Sequence, residues 1–410
     1  MVAGQRSSKP SVLIVGGGVA GLEGLLALRD LAGERAALTL ISAEDEFIYK
    51  PLLVEEPFGA GPAERHELEP IAREQGAELV RGTLRAVHPE KRALDLDGES
   101  LAYDYLLIAV GGQFRPALEG VTTFPSRGEP FSVDAVLDRA EQKDHRLAFI
   151  VPRGASWPLP LYEIALMSQR RAGQRRIDAK IAVITPESAP LGIFGPAPST
   201  AVSELLRARG IEVLTDSTVR EVGSEGIKLS PGDRVLGPAE AISLAIMQGP
   251  AIEGLPSDEA GFIPVDEHSR VKGLEAVYAA GDGTTFPIKQ GGLATQQADA
   301  AAEHIAHALG AAIAPEPFRP VLRGKLLTGD ESMSLSADVA GGGGEADVSA
   351  DYLWWPPHKI AARYLSPFLY HGESHEEPEP PDSLDVEVAL PKEWHEEPMA
   401  LDPERPISPD

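Results

Sequence analysis

The chain has 410 residues, 43% hydrophobic and 24% charged, enough to bury the cores of two or three domains. It has no cysteine, which excludes disulfides, thiolate metal sites, Cys-x-x-Cys centres and cysteine nucleophiles, so redox chemistry would fall to a bound cofactor. A formal net charge of -26 argues against nucleic acid and against general attraction to anionic lipid, both of which need clustered Lys and Arg.

In chain order, Met1 to Pro10 is polar and lacks the apolar core of a signal peptide. No run approaches the ~18 apolar residues of a membrane span. The expected location is cytoplasmic, with a peripheral place at the inner face of the membrane as the alternative. An apolar run at Ser11–Val15, a glycine cluster, a helical stretch over Val19–Leu31 and a second apolar run at Ala37–Ile41 predict a βαβ unit. A helical piece around Leu68–Gln75 follows. The runs at Glu78–Val87, Ala93–Leu96 and Tyr105–Val110 predict antiparallel strands and a returning parallel strand. The pattern repeats at Arg146–Val151, Leu159–Arg171 and Lys180–Thr185, with a helix over Ser199–Arg209 and a strand at Ile211–Leu214. The chain returns through Ala276–Ala280 to an Ala-rich helix near Leu293–Leu309. Gly329–Ala350, with four successive glycines from Gly341, reads as a mobile loop. The segment from Tyr352 to Tyr370 is apolar and aromatic. From His371 to Asp410 thirteen acids stand against two bases, the composition of a solvated, disordered tail.

Chemistry concentrates at Gly16-Gly17-Gly18-Val19-Ala20-Gly21, placed directly between a strand and a helix as a dinucleotide fingerprint must be. Gly16 permits the tight turn, Gly18 lets a pyrophosphate approach the backbone, and Gly21 lets helix pack on strand. The helix N-terminus offers N–H groups and a positive dipole end to phosphate. At the end of the second strand, where a ribose-binding acid is expected, stand Ser42 and then Glu44. Two later segments narrow the dinucleotide to FAD. Tyr105–Gly112 is a buried strand ending in small residues, Ala109 and Gly111, where backbone passes close to a cofactor. Val277–Gly283 runs into Gly281-Asp282-Gly283, where a carboxylate can accept a hydrogen bond from a ribityl hydroxyl.

Over residues 11 to 325 these motifs, in this order, resemble the pyridine nucleotide-disulfide oxidoreductase superfamily, in its branch of type II NADH:quinone and sulfide:quinone oxidoreductases. The resemblance implies an α/β fold of two Rossmann-like dinucleotide-binding domains with a C-terminal extension. It implies an FAD domain of residues 1–115 and 262–325, a nicotinamide-type domain of 116–261, a C-terminal segment of 326–370 and a tail of 371–410. It places the pyrophosphate at Gly16, Gly18, Val19, Ala20 and Gly21, the ribityl chain at Asp282 and the adenine at the backbone near Leu84. The turn containing Lys50 and Pro51 falls beside the isoalloxazine. Lys289, Gln290, Gly291, Gly292 and Leu293 fall where a helix N-terminus faces the flavin pyrimidine, and the dipole with Lys289 would hold the negative charge that builds there on reduction.

The sequence also departs from that family. Glu163 fits the acid that follows the second glycine loop of nicotinamide-using relatives, and it joins Lys289 as a candidate catalytic residue. The three glycine positions before it hold Ser156, Pro158 and Leu161, which offer no phosphate cradle. The use of NAD(P)H is therefore in doubt, and without cysteine the sulfide chemistry of the other branch is excluded. The aromatic stretch 352–370 is expected to pack on the FAD domain, with Lys359 and Arg363 on the wet side, in preference to lying in a membrane interface. The leading function is an FAD-dependent oxidoreductase passing electrons from a small donor, NAD(P)H or another, to a quinone-like acceptor. The alternative is a non-catalytic or regulatory FAD protein. No metal site is expected.

Overall fold

The computed structural model describes residues 9–125, 131–232, 234–329, 337–341, 344–349, 358–371 and 383–389. The first part of the chain supplies β1 (Ser11–Val15), β2 (Ala37–Ser42), β3 (Glu78–Arg81) and β4 (Tyr105–Ile108). The middle supplies β5 (Thr122–Phe124), β6 (Arg146–Ile150), β7 (Lys180–Ile184), β8 (Glu212–Leu214) and β9 (Glu240–Leu244). The return supplies β10 (Val277–Ala279) and β11 (Val321–Leu327). The helices that position the site are α1 (Val19–Ala32), α2 (Leu159–Gln174), α3 (Pro196–Ala208), α4 (Gly291–Ala308) and the short α5 (Leu365–His371).

Two five-stranded sheets result, ordered β10-β4-β1-β2-β3 and β5-β9-β6-β7-β8. Every pairing within them is parallel. Parallel strands are covered on both faces, which is why β1 reads Ser-Val-Leu-Ile-Val without alternation. Val12 and Ile14 enter the core shared with α1 and α4. Leu13 and Val15 enter a second core with Val87, Leu94 and Leu96. Val87 and Leu94 belong to a meander of Ala86–His88, Ala93–Asp95 and Ser100–Ala102, and Leu96 to the turn before its last strand. Only Glu78–Arg81 of the expected run Glu78–Val87 joins the parallel sheet.

Small residues bring α1 and α4 together. A Cβ on Gly24 would stand 2.5 Å from Leu107 Cδ2 and 3.9 Å from Ala298 Cβ, so this face of α1 has no room for larger side chains. Helix α3 begins at Pro196, three residues before the expected start, because proline suits a first helical turn. The chain crosses between the folds twice, and the crossings, Gln113–Arg115 and Ile246–Gln248, pair antiparallel. Residues 250–261 then return to the first fold, since Val87 N–H donates to Glu253 O at 2.9 Å and Ile252 and Leu255 pack against its core. The second fold thus ends about where the crossing ends, short of the expected 261.

Two C-terminal expectations change. Ala337–Gly341 and Gly344–Ser349 pair as a hairpin in which Gly341 faces Gly344, where a mobile loop was expected. Ser383–Ala389, inside the expected disordered tail, pairs antiparallel with β11 along its length. Its sequence alternates Leu384, Val386 and Val388 with Ser383, Asp385 and Glu387, the period of a strand. The packing of 358–370 on the first fold is observed: Ile360, Ala362, Leu365 and Leu369 are buried in the core of α1 and α4. Trp354, Trp355 and the Pro356-Pro357 break lie outside the described residues. Among the described residues no helix is long and apolar enough to cross a membrane.

Candidate functional site

The glycines after β1 each have a different steric setting. Gly16 has φ of 122°, a region that favours glycine, and its N–H donates to Ile41 O at 2.7 Å. A Cβ there would fall 2.2 Å from Ala109 O, so the end of β4 touches the turn. A Cβ on Gly21 would fall 1.7 Å from Gly16 O, which is the close approach of helix to turn. At Gly18 a Cβ would meet nothing within 4 Å, so the turn opens there onto free space. The helical ladder begins with Leu22 N–H donating to Gly18 O at 2.9 Å. The amides of Val19, Ala20 and Gly21 precede it, at the end of the helix that leaves its N–H groups for an outside acceptor.

Strands β4 and β10 deliver the rest to the same edge. Gly111 has φ of 72°, and its carbonyl oxygen lies 3.0 Å from where a Gly283 Cβ would stand. Just before Gly111, Val110 is 39% exposed, one of two large apolar side chains so open among the described residues. Gly281, with φ of 82°, sits between Ala20 and Ala294, each 3.3 Å from its Cβ position. Its N–H donates to Gln297 Oε1 at 2.8 Å, and Thr284 Oγ1 donates to Gly281 O at 2.9 Å. Thus Gly16–Gly21, Ala109–Gly111 and Gly281–Gly283 converge at the carboxyl ends of three adjacent strands. Ligands of open parallel sheets bind at that edge.

Lys289 and Asp282 set the electrostatics of this edge. Lys289 is buried, donates to Thr284 O, and holds its ammonium 3.9 Å from the centroid of the Phe262 ring. Burial lowers its pKa to about 8, against the pull of Asp282 and Asp258. Burial raises the Asp282 carboxyl, while Lys289 and Lys50 pull it back. Helix α4 starts at Gly291 because Gln290 caps it: its side chain accepts from Leu293 N–H at 2.9 Å and donates to Arg323 O at 3.0 Å. Gln290 therefore spends both ends on protein, and Gly291 is covered by Ile360, whose Cδ1 lies 2.8 Å from the position of a Gly291 Cβ.

The adenosine side is looser. Ser42 is buried, its Oγ 2.8 Å from where a Gly17 Cβ would stand and accepting from Glu44 N–H at 3.2 Å. Glu44 is exposed beside it. Leu84 packs partly buried at the edge of the core under β1. Lys50 is exposed and Pro51 half-buried in a turn of Lys50–Val54.

In the second fold the turn between β6 and α2 spans 151–158, longer than the three residues between β1 and α1. Glu163 does not face an open site, contrary to its expected part in the chemistry. It is fully buried, both its oxygens accept from Lys359 Nζ at 2.7 and 2.8 Å, and Oε1 also accepts from Leu327 N–H at 2.8 Å. Burial pushes its carboxyl up, and Lys359 and the Leu327 amide pull it back. Lys359 was expected on the wet side, yet its side chain is 9% exposed, because a carboxylate with no access to water needs a cation beside it. Arg363 is on the wet side, paired with Glu303 at 3.1 Å. Glu187, which follows β7 much as Glu44 follows β2, is also committed. It accepts from Tyr162 Oη at 2.7 Å and from Thr185 Oγ1 at 2.8 Å, and burial raises its pKa to about 7.

The sequence reading missed Val110, Phe262, Thr284, Gln297 and Lys359. Only Val110 carried a local signal, an apolar residue just past a strand that ends at a glycine turn. Thr284 acts within its own turn, on Gly281 and Lys289, and Phe262, Gln297 and Lys359 act through partners more distant in sequence.

The profile of the family described as Pyridine nucleotide-disulphide oxidoreductase matches residues 10–304. The demethylphylloquinone reductase NdbB of Synechocystis sp. is 25% identical over 347 residues, covering 77% of this chain and 83% of its own. The ferredoxin reductase subunit of 5,5'-dehydrodivanillate O-demethylase from Sphingobium sp. is 28% identical over 290 residues, 66% of each chain. Among solved structures, the sulfide:quinone oxidoreductase of Aquifex aeolicus has the same fold, with a TM-score of 0.66 at 20% identity over 83% of this chain and 84% of that one.

Proposed function

Because this chain belongs to the pyridine nucleotide-disulphide oxidoreductase family and is an FAD-dependent oxidoreductase, we propose that it carries electrons from a small donor to a quinone-like acceptor. The observation that most supports this reading is the meeting of an open glycine cradle with a buried ammonium and a helix N-terminus at one sheet edge. The likeness to NdbB, named a demethylphylloquinone reductase, over most of both chains supports the acceptor class.

Bound FAD supplies the two-electron chemistry; the protein supplies place and charge. Gly16, Gly18 and Gly21, with the amides of Val19 and Ala20, hold the pyrophosphate. Ser42 and Glu44 take the adenosine ribose, and the backbone near Leu84 the adenine. Asp282 accepts from a ribityl hydroxyl. Ala109, Gly111 and Gly281 keep the backbone close, while Lys50 and Pro51 border the ring. Lys289 and the first amides of α4, at Gly291 and Gly292, would face the negative charge that gathers on reduction, while the Leu293 amide is already taken by the Gln290 cap. Without cysteine, no thiol relay takes part.

A pH dependence follows. Lys289 is an ammonium below about pH 8 and loses its proton above, with an anionic neighbour moving that point upward. The protein's support for the reduced ring is therefore full at pH 7 and fades as pH rises through that range. Lys289→Met should remove the inflection and make the midpoint potential at pH 7 more negative by roughly 30 mV, the equivalent of about 1.4 kcal/mol for a two-electron couple. Potentiometric titration at pH 7 and pH 9 checks this; identical curves for the two proteins would refute a role for Lys289.

The acceptor is tested by mixing anaerobic, light-reduced protein with a soluble naphthoquinone and, separately, with a ferredoxin. Faster flavin reoxidation by the quinone is expected. Reoxidation by ferredoxin alone would assign the protein to the other relatives' chemistry.

A further inference from the structure

Glu163 lies in the first turns of α2, against the turn containing Pro51, at the junction of the two folds. A carboxylate there could accept the hydrogen bonds that a carboxamide N–H2, such as that of a nicotinamide, donates. In this chain it is taken. Lys359 Nζ bridges both Glu163 oxygens and also donates to Pro51 O at 3.2 Å, so one ammonium ties α2 to the first fold.

The segment that carries Lys359 is fastened along its length. Ile360 N–H donates to Tyr49 Oη at 2.9 Å, and Ser366 Oγ donates to Ile360 O at 2.6 Å. Tyr364 and Leu365 N–H donate to the two oxygens of buried Glu23 at 2.9 and 2.6 Å. The Ile360 side chain lies on Gly291, at the start of α4. Residues 358–365 form a strap from the second fold, over the N-terminus of α4, to α1.

We propose that Lys359 is a specificity-determining residue: by occupying Glu163 and fastening this strap, it closes the junction of the folds to the nicotinamide end of NAD(P)H, so that the donor belongs to another chemical class. This rests on the reading of the chain as an FAD-dependent electron carrier. Admitting a carboxamide to Glu163 would strand a buried ammonium, and a buried charge that loses its partner is strongly unfavourable. An independent observation agrees. Glu187, the acid placed to take the ribose of a second dinucleotide, is engaged with Tyr162 and Thr185.

The test is calorimetric titration of NAD+ into the flavin-loaded wild type, Lys359→Met and the double variant Lys359→Met/Glu163→Leu. Lys359→Met should bind at least about tenfold more tightly than wild type, and the double variant should lose that gain. A folded, flavin-loaded Lys359→Met with no gain would overturn the proposal, as would wild type binding as tightly as the variant. If Lys359→Met fails to fold, hydrogen exchange on the unmodified protein decides. The amides of Ile360, Tyr364 and Leu365 should be as protected as those of β1, and exchange at loop rates would show an open strap and overturn the proposal. A wild-type flavin that no quinone reoxidises would defeat the proposed function and leave the binding result standing, so the two failures are distinguishable.

Discussion

Gly21→Val is expected to yield protein without FAD and with reduced stability, and Gly18→Leu protein without FAD that remains folded. The two variants separate because the two glycines serve different neighbours. A Cβ on Gly21 would stand 1.7 Å from Gly16 O, a backbone atom that cannot swing aside, so α1 must lift from the turn. Overpacking of this kind costs about 1–3 kcal/mol or more, and it displaces the helix amides that face a phosphate. At Gly18 no protein atom lies within 4 Å of a Cβ, so the protein has no reason to shift. The space that the leucine fills is the ligand's. Flavin absorbance after purification, read beside thermal unfolding, checks both; a flavin-loaded Gly18→Leu would remove the pyrophosphate from this turn.

Truncation after Thr328 is expected to give an aggregated or flavin-free protein. The cut removes Ile360, Leu365 and Leu369 from the core between α1 and α4, and burying such side chains stabilises by about 1.5–3 kcal/mol each. It also leaves the fully buried Glu163 without its cation and Glu23 without the amides of Tyr364 and Leu365. An uncompensated buried charge costs about 3–5 kcal/mol. Together these losses approach the ~5–15 kcal/mol that holds a whole domain. The loss of Ser383–Ala389 further strips β11 of its paired neighbour. Recovery of a soluble, yellow fragment with an unchanged melting temperature would show that the C-terminal segment is an accessory to the flavin domain.

What the sequence made legible was local or repeated. Gly16 to Gly21 could be read because strand, turn and helix follow one another without interruption and each glycine answers one steric demand. The position of Asp282 at this sheet edge could be read because it stands inside a turn that ends a buried strand. The second fold was legible as a repeat of the first, and its altered glycine loop as a departure from it. The ion pair of Glu163 with Lys359 joins positions 196 residues apart, and no pattern on either side announces it. Lys359 looked like a solvated cation because its neighbours are aromatic and its partner is on another domain. The commitment of Glu187 was hidden likewise, since Tyr162 comes from the preceding helix, on the other side of β7. In the tail, acid and proline content outweighed the short alternation of Ser383–Ala389, which forms a strand only because β11 is there to receive it.

The most direct measurement is an anaerobic redox titration of the purified protein with its cofactor identified after release. The expected result is FAD, bleached by two electron equivalents and restored by a stoichiometric amount of a naphthoquinone. Release of FMN or of no flavin would contradict the first fold as a dinucleotide site, and reduced FAD that the quinone leaves bleached would contradict the proposed electron transfer.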